Sequence, residues 1–340
     1  MVLNNSPLPS ARMRERVRQA AAQLGYVPNR MAQRLKRGRS FTLGVLMPYC
    51  GDSHVATLLD ALSVEASKFN FQLEIYFHRW SVREEDRALQ SLGESRAEGI
   101  FLSGSRSDYR QVPILESLRR QRIPIVGLMR QAIPEFSASI VVDRFGGATQ
   151  LGQHLAELGH RKIDYLESIG NREAVEVLPM GVQQILDGLQ EGANRHSPGS
   201  EITMFPTNPD LLLSRQDVEE HGLSSQSVSD LADRFIEDYL GSRSAATAVV
   251  TFHSTLAWKL LAALTSQHRR CPEDISIACF NGDGRGAVGA VPLTAAEYSV
   301  DIMAQKGMAT MLKAIAGQKC PPEIKIPTKL ITRHSSKHIR

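Results

Sequence analysis

From Phe41 onward, short apolar runs alternate with amphipathic segments, and the alternation passes along the chain twice. Residues 42–47 (TLGVLM) form an apolar run closed by Pro48, the pattern of a strand covered on both faces. Residues 56–70 have helical spacing, 72–77 strand spacing, and 82–96 make a charged helix. Strands are predicted at 99–103, 124–128 and 139–142, with helices at 112–121 and 145–158. The pattern then restarts, with strands at 161–166, 201–205, 246–251 and 275–280 and helices at 179–191, 228–240 and 256–267. A helix at 300–316 and an extended stretch at 323–332 complete it, while 206–228 reads as an unusually long polar loop. Two successive β-α-β series imply an α/β fold with two parallel-sheet, Rossmann-like subdomains. Ligands of such sheets bind outside the carboxyl ends of the strands, so the cleft between the subdomains is the expected site.

The first forty residues have a different character. They hold nine basic residues and one acid, a local charge of +8, so the chain's net +4 leaves −4 for the remaining 300 residues. A basic arm on a mildly acidic body is a common footprint of nucleic-acid binding. Ser10 can cap a helix running to Leu24, with Met13, Val17, Ala20, Ala21 and Leu24 at helical spacing. A helix of this length is marginal without a partner for its apolar side. A second short helix is expected at 29–37, because Pro28 blocks backward continuation, Asn29 can cap it and Gly38 can end it. It carries Arg30, Arg34, Lys36 and Arg37 with Leu35 among them. A basic face with an apolar wedge suits a minor groove, where the wedge can insert between base steps; a solvated basic linker is the alternative.

Several function classes find no support. Cys50, Cys271, Cys279 and Cys320 form no C-x-x-C pair, and the chain shows neither a signal-type apolar segment nor a run of about 18 apolar residues. A reduced, cytoplasmic protein without membrane contact is therefore expected. Residues 284–289 match G-x-G-x-x-G after a predicted strand, but 290–294 reads as extended where a dinucleotide site needs a helix. His160 lies at a helix-to-strand turn, a structural position, and Glu84, Glu85 and Asp86 read as solvated carboxylates on a charged helix. No catalytic residues, metal ligands or cofactor are expected, and the chain does not read as an enzyme.

The order of motifs resembles the lactose-repressor (LacI/GalR) family of bacterial transcription regulators. Val2-Leu3-Asn4-Asn5 looks like the end of the family's recognition helix. Arg14-Glu15-Arg16-Val17, Leu24-Gly25-Tyr26, Pro28-Asn29 and Arg34-Leu35 look like its third helix and hinge. Leu43-Gly44-Val45 resembles the first core strand, and Gly159-His160-Arg161-Lys162-Ile163 the family's G-H-R-x-I turn. Pro272-Glu273-Asp274-Ile275, Pro292-Leu293-Thr294 and Leu330-Ile331-Thr332-Arg333 match later signatures.

The resemblance implies a periplasmic-binding-protein-like core preceded by a partial helical DNA-binding headpiece and a hinge helix. It also implies a homodimer on operator DNA, with a small-molecule effector, a sugar or related polar metabolite, in the cleft. The expected divisions are a headpiece at 1–27, a hinge at 28–40, a first subdomain at 41–157 plus 294–318, and a second at 158–293 plus 319–340. The family's first helix, turn and most of its recognition helix have no counterpart before Met1, so the chain is expected to begin within the helix-turn-helix. That departure leaves an alternative open: a cytoplasmic small-molecule binding module without sequence-specific DNA binding.

DNA contacts are expected from Asn4, Asn5, Arg12, Tyr26, Asn29, Arg30, Ala32, Arg34, Leu35 and Arg37, with Leu35 at the family's wedge position. Effector contacts are expected from Tyr49, Asp52, His54, Ser103, Arg130, Asp143, His253 and Asn281, foremost Asp143 and Asn281. Three sugar-contact positions depart from the family: His253-Ser254 stands for its Asn-Asp, Asn281 for an Asp, and Leu178 for an Arg. Losing an Arg and two acids removes bidentate contacts to hydroxyls, which argues against an ordinary free hexose.

Overall fold

The computed structural model describes residues 10–24, 39–49, 53–104, 109–167, 180–205, 225–282, 287 and 289–339. The chain divides into two units, Met1–Phe41 and Thr42–Arg340. In the first, helix α1 spans Ala11–Gln23, and Ser10 caps it by accepting from the Met13 N–H at 3.4 Å. Met13 and Leu24 are largely exposed. The Arg39 guanidinium lies 4.6 Å from the Phe41 ring centroid.

The second unit contains two six-stranded sheets. The first sheet is built from β1 (Thr42–Met47), β2 (Gln72–Phe77), β3 (Gly99–Leu102), β4 (Ile125–Leu128), β5 (Ala138–Val142) and β11 (Glu323–Ile326). Its order is β11-β5-β4-β3-β1-β2, parallel throughout. The second sheet contains β6 (Lys162–Leu166), β7 (Glu201–Phe205), β8 (Ala248–His253), β9 (Ser276–Gly282), β10 (Thr294–Glu297) and β12 (Lys329–Ile331). Its order is β12-β10-β9-β8-β6-β7, and only β12 runs antiparallel to its neighbour. Every residue of β1, β3, β4 and β5 is buried, as expected where helices cover both faces of a parallel sheet.

The covering helices are α2 (Ser53–Lys68), α3 (Val82–Glu94), α4 (Pro113–Arg120), α5 (Arg144–Glu157), α6 (Met180–His196), α7 (Ser225–Gly241), α8 (Ser254–Ser266) and α9 (Val300–Ile315). Ser81, Asp143 and Ser299 cap α3, α5 and α9 with their side chains. The first core gathers Leu46, Leu89, Leu92, Ile100 and Leu118, the second Val249, Leu256, Leu260, Ile277 and Phe235.

The subdomain divisions drawn from the sequence need correction at three places. Helix α5, assigned to the first subdomain, packs against α6, β9, β10 and β12 of the second, so the chain crosses at Asp143. Residues 294–297, assigned to the first subdomain, form strand β10, which pairs with β9 of the second sheet, so the second crossing follows Glu297. The extended stretch at 323–332 is two strands in different sheets: β11 pairs with β5 and β12 with β10. Helix α9 between these crossings covers the first sheet, against α2, β4 and β5.

The third crossing is fastened to the first. The Asp143 N–H donates to the Ile326 carbonyl at 2.9 Å, and the Thr328 hydroxyl to the Asp143 carbonyl at 3.1 Å. Gln150 of α5 both donates to the Thr328 carbonyl and accepts from the Leu330 N–H. A second zipper holds the C-terminal segment: buried Ser335 accepts from the Thr294 N–H and donates to the Ile277 carbonyl, joining β9, β10 and the tail.

Candidate functional site

The carboxyl ends of both sheets point to the region where the three crossings lie, and the first sheet supplies one wall. His78, directly after β2, is buried; its Nδ1 accepts from the Trp80 N–H at 3.0 Å. The ring proton therefore sits on Nε2 and is donated to the Ser103 carbonyl at 2.7 Å. Burial lowers the His78 pKa and keeps the ring neutral. The turn it fixes presents Trp80, whose ring lies 5.0 Å from that of Tyr49 at 45°.

Behind this wall lies a buried charged group that the sequence pattern places in solvent. Glu85 is fully buried and accepts from the Tyr109 hydroxyl at 3.0 Å. The helix α3 face that packs on β1 and β2 also carries Glu85, which its charged neighbours disguise in sequence. The Arg130 guanidinium lies 4.5 Å from the Tyr109 ring centroid and donates to the Gly104 carbonyl at 3.2 Å. A Cβ on Gly104 would meet the Tyr109 hydroxyl at 1.5 Å, so only glycine lets the backbone come this close. Desolvation lowers the Arg130 pKa, against the opposing pull of Tyr109 and Glu85, and the group remains a cation.

A seam joins this wall to the second crossing. His54, in the first turn of α2, is buried with its Nε2 hydrogen-bonded to the Tyr298 hydroxyl and 3.2 Å from Met129 Sδ. The two rings meet edge to face at 5.1 Å.

The second wall comes from the strand ends of the other sheet. Phe252 stacks on Phe280 at 6.0 Å with 5° between planes, and His253 meets the Phe252 ring at 4.3 Å. Glu167 follows β6 and accepts from the Tyr165 hydroxyl at 2.6 Å. Burial raises the Glu167 pKa, while the Tyr165 bond and the charges of His253 and Arg144 pull it back down. Arg144 reaches both walls. Its Nη2 donates to the Met129 carbonyl at 3.3 Å, and its guanidinium lies 6.0 Å from the Phe252 ring centroid. Gly181 makes room for it, since a Cβ there would meet Nη1 at 2.2 Å.

The structure brings Tyr49, His54, Ser103 and Arg130 together at the ends of β1, β3 and β4, with Ser103 engaged through its carbonyl. Asp143 sits between β5 and α5, where Oδ1 accepts from the Gly146 N–H at 3.2 Å and lies 3.7 Å from Lys325 Nζ. His253 stands in extended backbone before α8, paired in register with Asn281 of β9. Asp52 lies outside the described residues. So do Asn4, Asn5, Tyr26, Asn29, Arg30, Ala32, Arg34, Leu35 and Arg37; Arg12 is exposed on α1. Sequence reasoning missed Trp80, Arg144, Tyr165, Glu167, Phe252 and Tyr298. The signal for Arg144 and Phe252 was present, because each adjoins a strand-end residue already singled out. Among the described residues no group of three His, Cys, Asp or Glu could hold a metal, and no helix is long and apolar enough to cross a membrane.

Known proteins share this architecture along most of the chain. Residues 153–336 match the periplasmic binding protein-like domain, and residues 40–186 match the family of periplasmic binding proteins and sugar binding domains of the LacI family. The transcriptional regulator DegA of Bacillus subtilis is 23% identical over 337 residues, covering 98% of this chain and 92% of DegA. The regulator GalS of Salmonella typhimurium is 26% identical over 317 residues, covering 93% and 85%. Among solved structures, a LacI family regulator from Enterococcus faecium with bound ribose aligns with a TM-score of 0.71 at 22% identity, over 88% of this chain and all of that one. The CelR–cellobiose complex aligns with a TM-score of 0.66 at 22% identity, over 98% of this chain and 94% of that one.

Proposed function

This chain belongs to the LacI/GalR family of transcription regulators, and we propose that it is a ligand-responsive repressor acting in the cytoplasm. It binds an operator as a homodimer and holds a small polar effector between its two sheets. The observation that carries the reading is the placement of Arg144 and Tyr298. Each stands at a crossing between the sheets and contacts Met129, just past the end of β4 on the opposite wall, so a ligand seated there acts on the relative position of both halves.

The coupling works through populations. A ligand that touches both walls favours the arrangement in which they approach, and only its differential affinity for the two arrangements shifts the balance. The basic arm follows β1 backward in the chain, so a change in the pose of the first sheet is passed to it covalently. Its nine cations bind phosphates and repel one another when no DNA is present. Within the arm, Asn4, Asn5, Arg12 and Tyr26 serve the headpiece, and Asn29, Arg30, Ala32, Arg34, Leu35 and Arg37 the hinge. At the effector site, Tyr49, Asp52, Ser103, Arg130, Asp143, His253 and Asn281 supply contacts and His54 the seam.

Leu35→Ala tests the DNA half of this proposal. At fixed salt, the variant should lose operator affinity by about 10-fold or more, the scale of a lost base-step wedge, while the salt slope stays the same because no phosphate contact is removed. Equal operator affinity for both proteins contradicts the wedge role. Equal affinity of the parent protein for operator and scrambled DNA favours a binding module without DNA specificity.

A further inference from the structure

The effector's chemistry can be narrowed from the charges of the two walls. A guanidinium carries five donors in a planar fork, and among the described residues Arg144 spends one of them on a protein acceptor, the Met129 carbonyl. It is half-buried against Phe252, so its remaining donors have limited access to water. Glu167 lies within electrostatic reach of it but, among the described residues, makes no ion pair with it and is occupied by the Tyr165 hydroxyl. Burial favours the neutral form of that carboxyl, which weakens its value as a counter-charge. Among the described residues, two other acids near the site are committed elsewhere. Asp143 caps α5 and faces Lys325, and Glu85 lies beneath Tyr109 on the far side of Arg130.

Resting on the regulator reading above, we infer that the effector is a hydroxylated monocarboxylic acid, such as a sugar acid, whose carboxylate is bound by Arg144. The fork of a guanidinium matches a carboxylate with two parallel charge-assisted hydrogen bonds. Arg130 has Glu85 within electrostatic reach, so Arg144 is the site cation without an ion pair among the described residues and suits one negative charge; a phosphate dianion would leave half its charge buried without a partner. The Trp80 and Phe252 rings offer apolar faces to the carbon skeleton, and Glu167 and His253 offer polar groups to its hydroxyls.

The test uses the full chain. Acetate, the minimal carboxylate, is titrated while the Arg144 Nε–Hε resonance is followed by NMR. D-Glucuronate is then compared with D-glucose by calorimetry, for the parent protein, Arg144→Gln and Arg144→Lys. The inference predicts an acetate-dependent shift at Arg144 and a preference for glucuronate over glucose of about 10- to 100-fold. Arg144→Gln should abolish that preference and Arg144→Lys keep some of it, both with a native circular dichroism spectrum. An unmoved Arg144 resonance, glucose binding as tightly as glucuronate, or an unchanged preference in folded Arg144→Gln overturns it. Operator affinity measured alongside separates the two proposals. Glucuronate bound through Arg144 without effect on DNA keeps this inference and defeats the regulator reading; release of DNA by glucose does the reverse.

Discussion

Helices α5 and α6 touch through glycines, and that contact gives a sharp prediction. A Cβ on Gly192 would stand 2.0 Å from the Thr149 carbonyl oxygen and 2.8 Å from the Gln153 nitrogen, both main-chain atoms. The mirror positions are as close: a Cβ on Gly152 would meet the Leu189 oxygen at 2.2 Å, and one on Gly188 the Phe145 oxygen at 2.6 Å. Main-chain atoms cannot rotate away, so Gly192→Ala has to push the helices apart by roughly 1 Å against a close-packed interior. Overpacking of this kind costs about 1–3 kcal/mol, and the rigid partner argues for the upper half of that range. Alanine's better helix propensity returns about 0.8–1 kcal/mol, leaving a net loss of roughly 1–2 kcal/mol. Gly241→Ala, at the end of α7, is the control, because nothing lies within 4 Å of its Cβ. It should be neutral or slightly stabilising. Urea midpoints read by circular dichroism and tryptophan fluorescence measure both variants, with coincident curves as the check on two-state behaviour. A Gly192→Ala midpoint at or above that of the parent protein would refute the steric reasoning. Because α6 opens with Gly181 beside Arg144, the same variant should also weaken effector binding.

Two further perturbations probe other regions of the structure. Desolvation holds buried His160 at a pKa of about 4, below its ordinary 6.5, between the Thr247 hydroxyl and the Lys337 carbonyl. The unfolded chain takes up this proton first, so stability should fall as pH drops from 6.5 towards 4 and level off below; His160→Gln should flatten some of that limb in urea midpoints measured against pH. Tyr298→Phe removes the hydroxyl bonded to buried His54 and should cost about 1–3 kcal/mol by thermal or urea unfolding, with a wild-type midpoint counting against the seam.

What the sequence made legible follows from which physics is local. Strands such as β1 and β3 lie where their apolar runs place them, because burial on both faces leaves an unbroken hydrophobic signature. The allegiance of α5 was not legible, since an amphipathic helix records that one face is buried but not which sheet buries it. The run at 323–332 looked like one extended piece because Pro327 and Thr328 interrupt it without any change of period, although the chain changes sheets there. Glu85 was misplaced because its partner, Tyr109, stands 24 residues away in sequence. Arg144 was missed for a similar reason: its site value comes from Met129, Phe252 and Gly181, three segments that only the fold assembles.

The most direct test of the account is selection of genomic DNA fragments by the 340-residue chain, followed by titration of the recovered fragment and its scrambled counterpart at one salt concentration, with and without effector. A specific regulator should prefer the recovered fragment by about 1,000-fold or more. The effector should weaken that binding by about 5- to 150-fold, the usual range of coupling between two sites, and leave scrambled DNA nearly unaffected. Equal affinity for both DNAs, with the same salt slope and no response to effector, would contradict the claim that the cleft governs DNA binding.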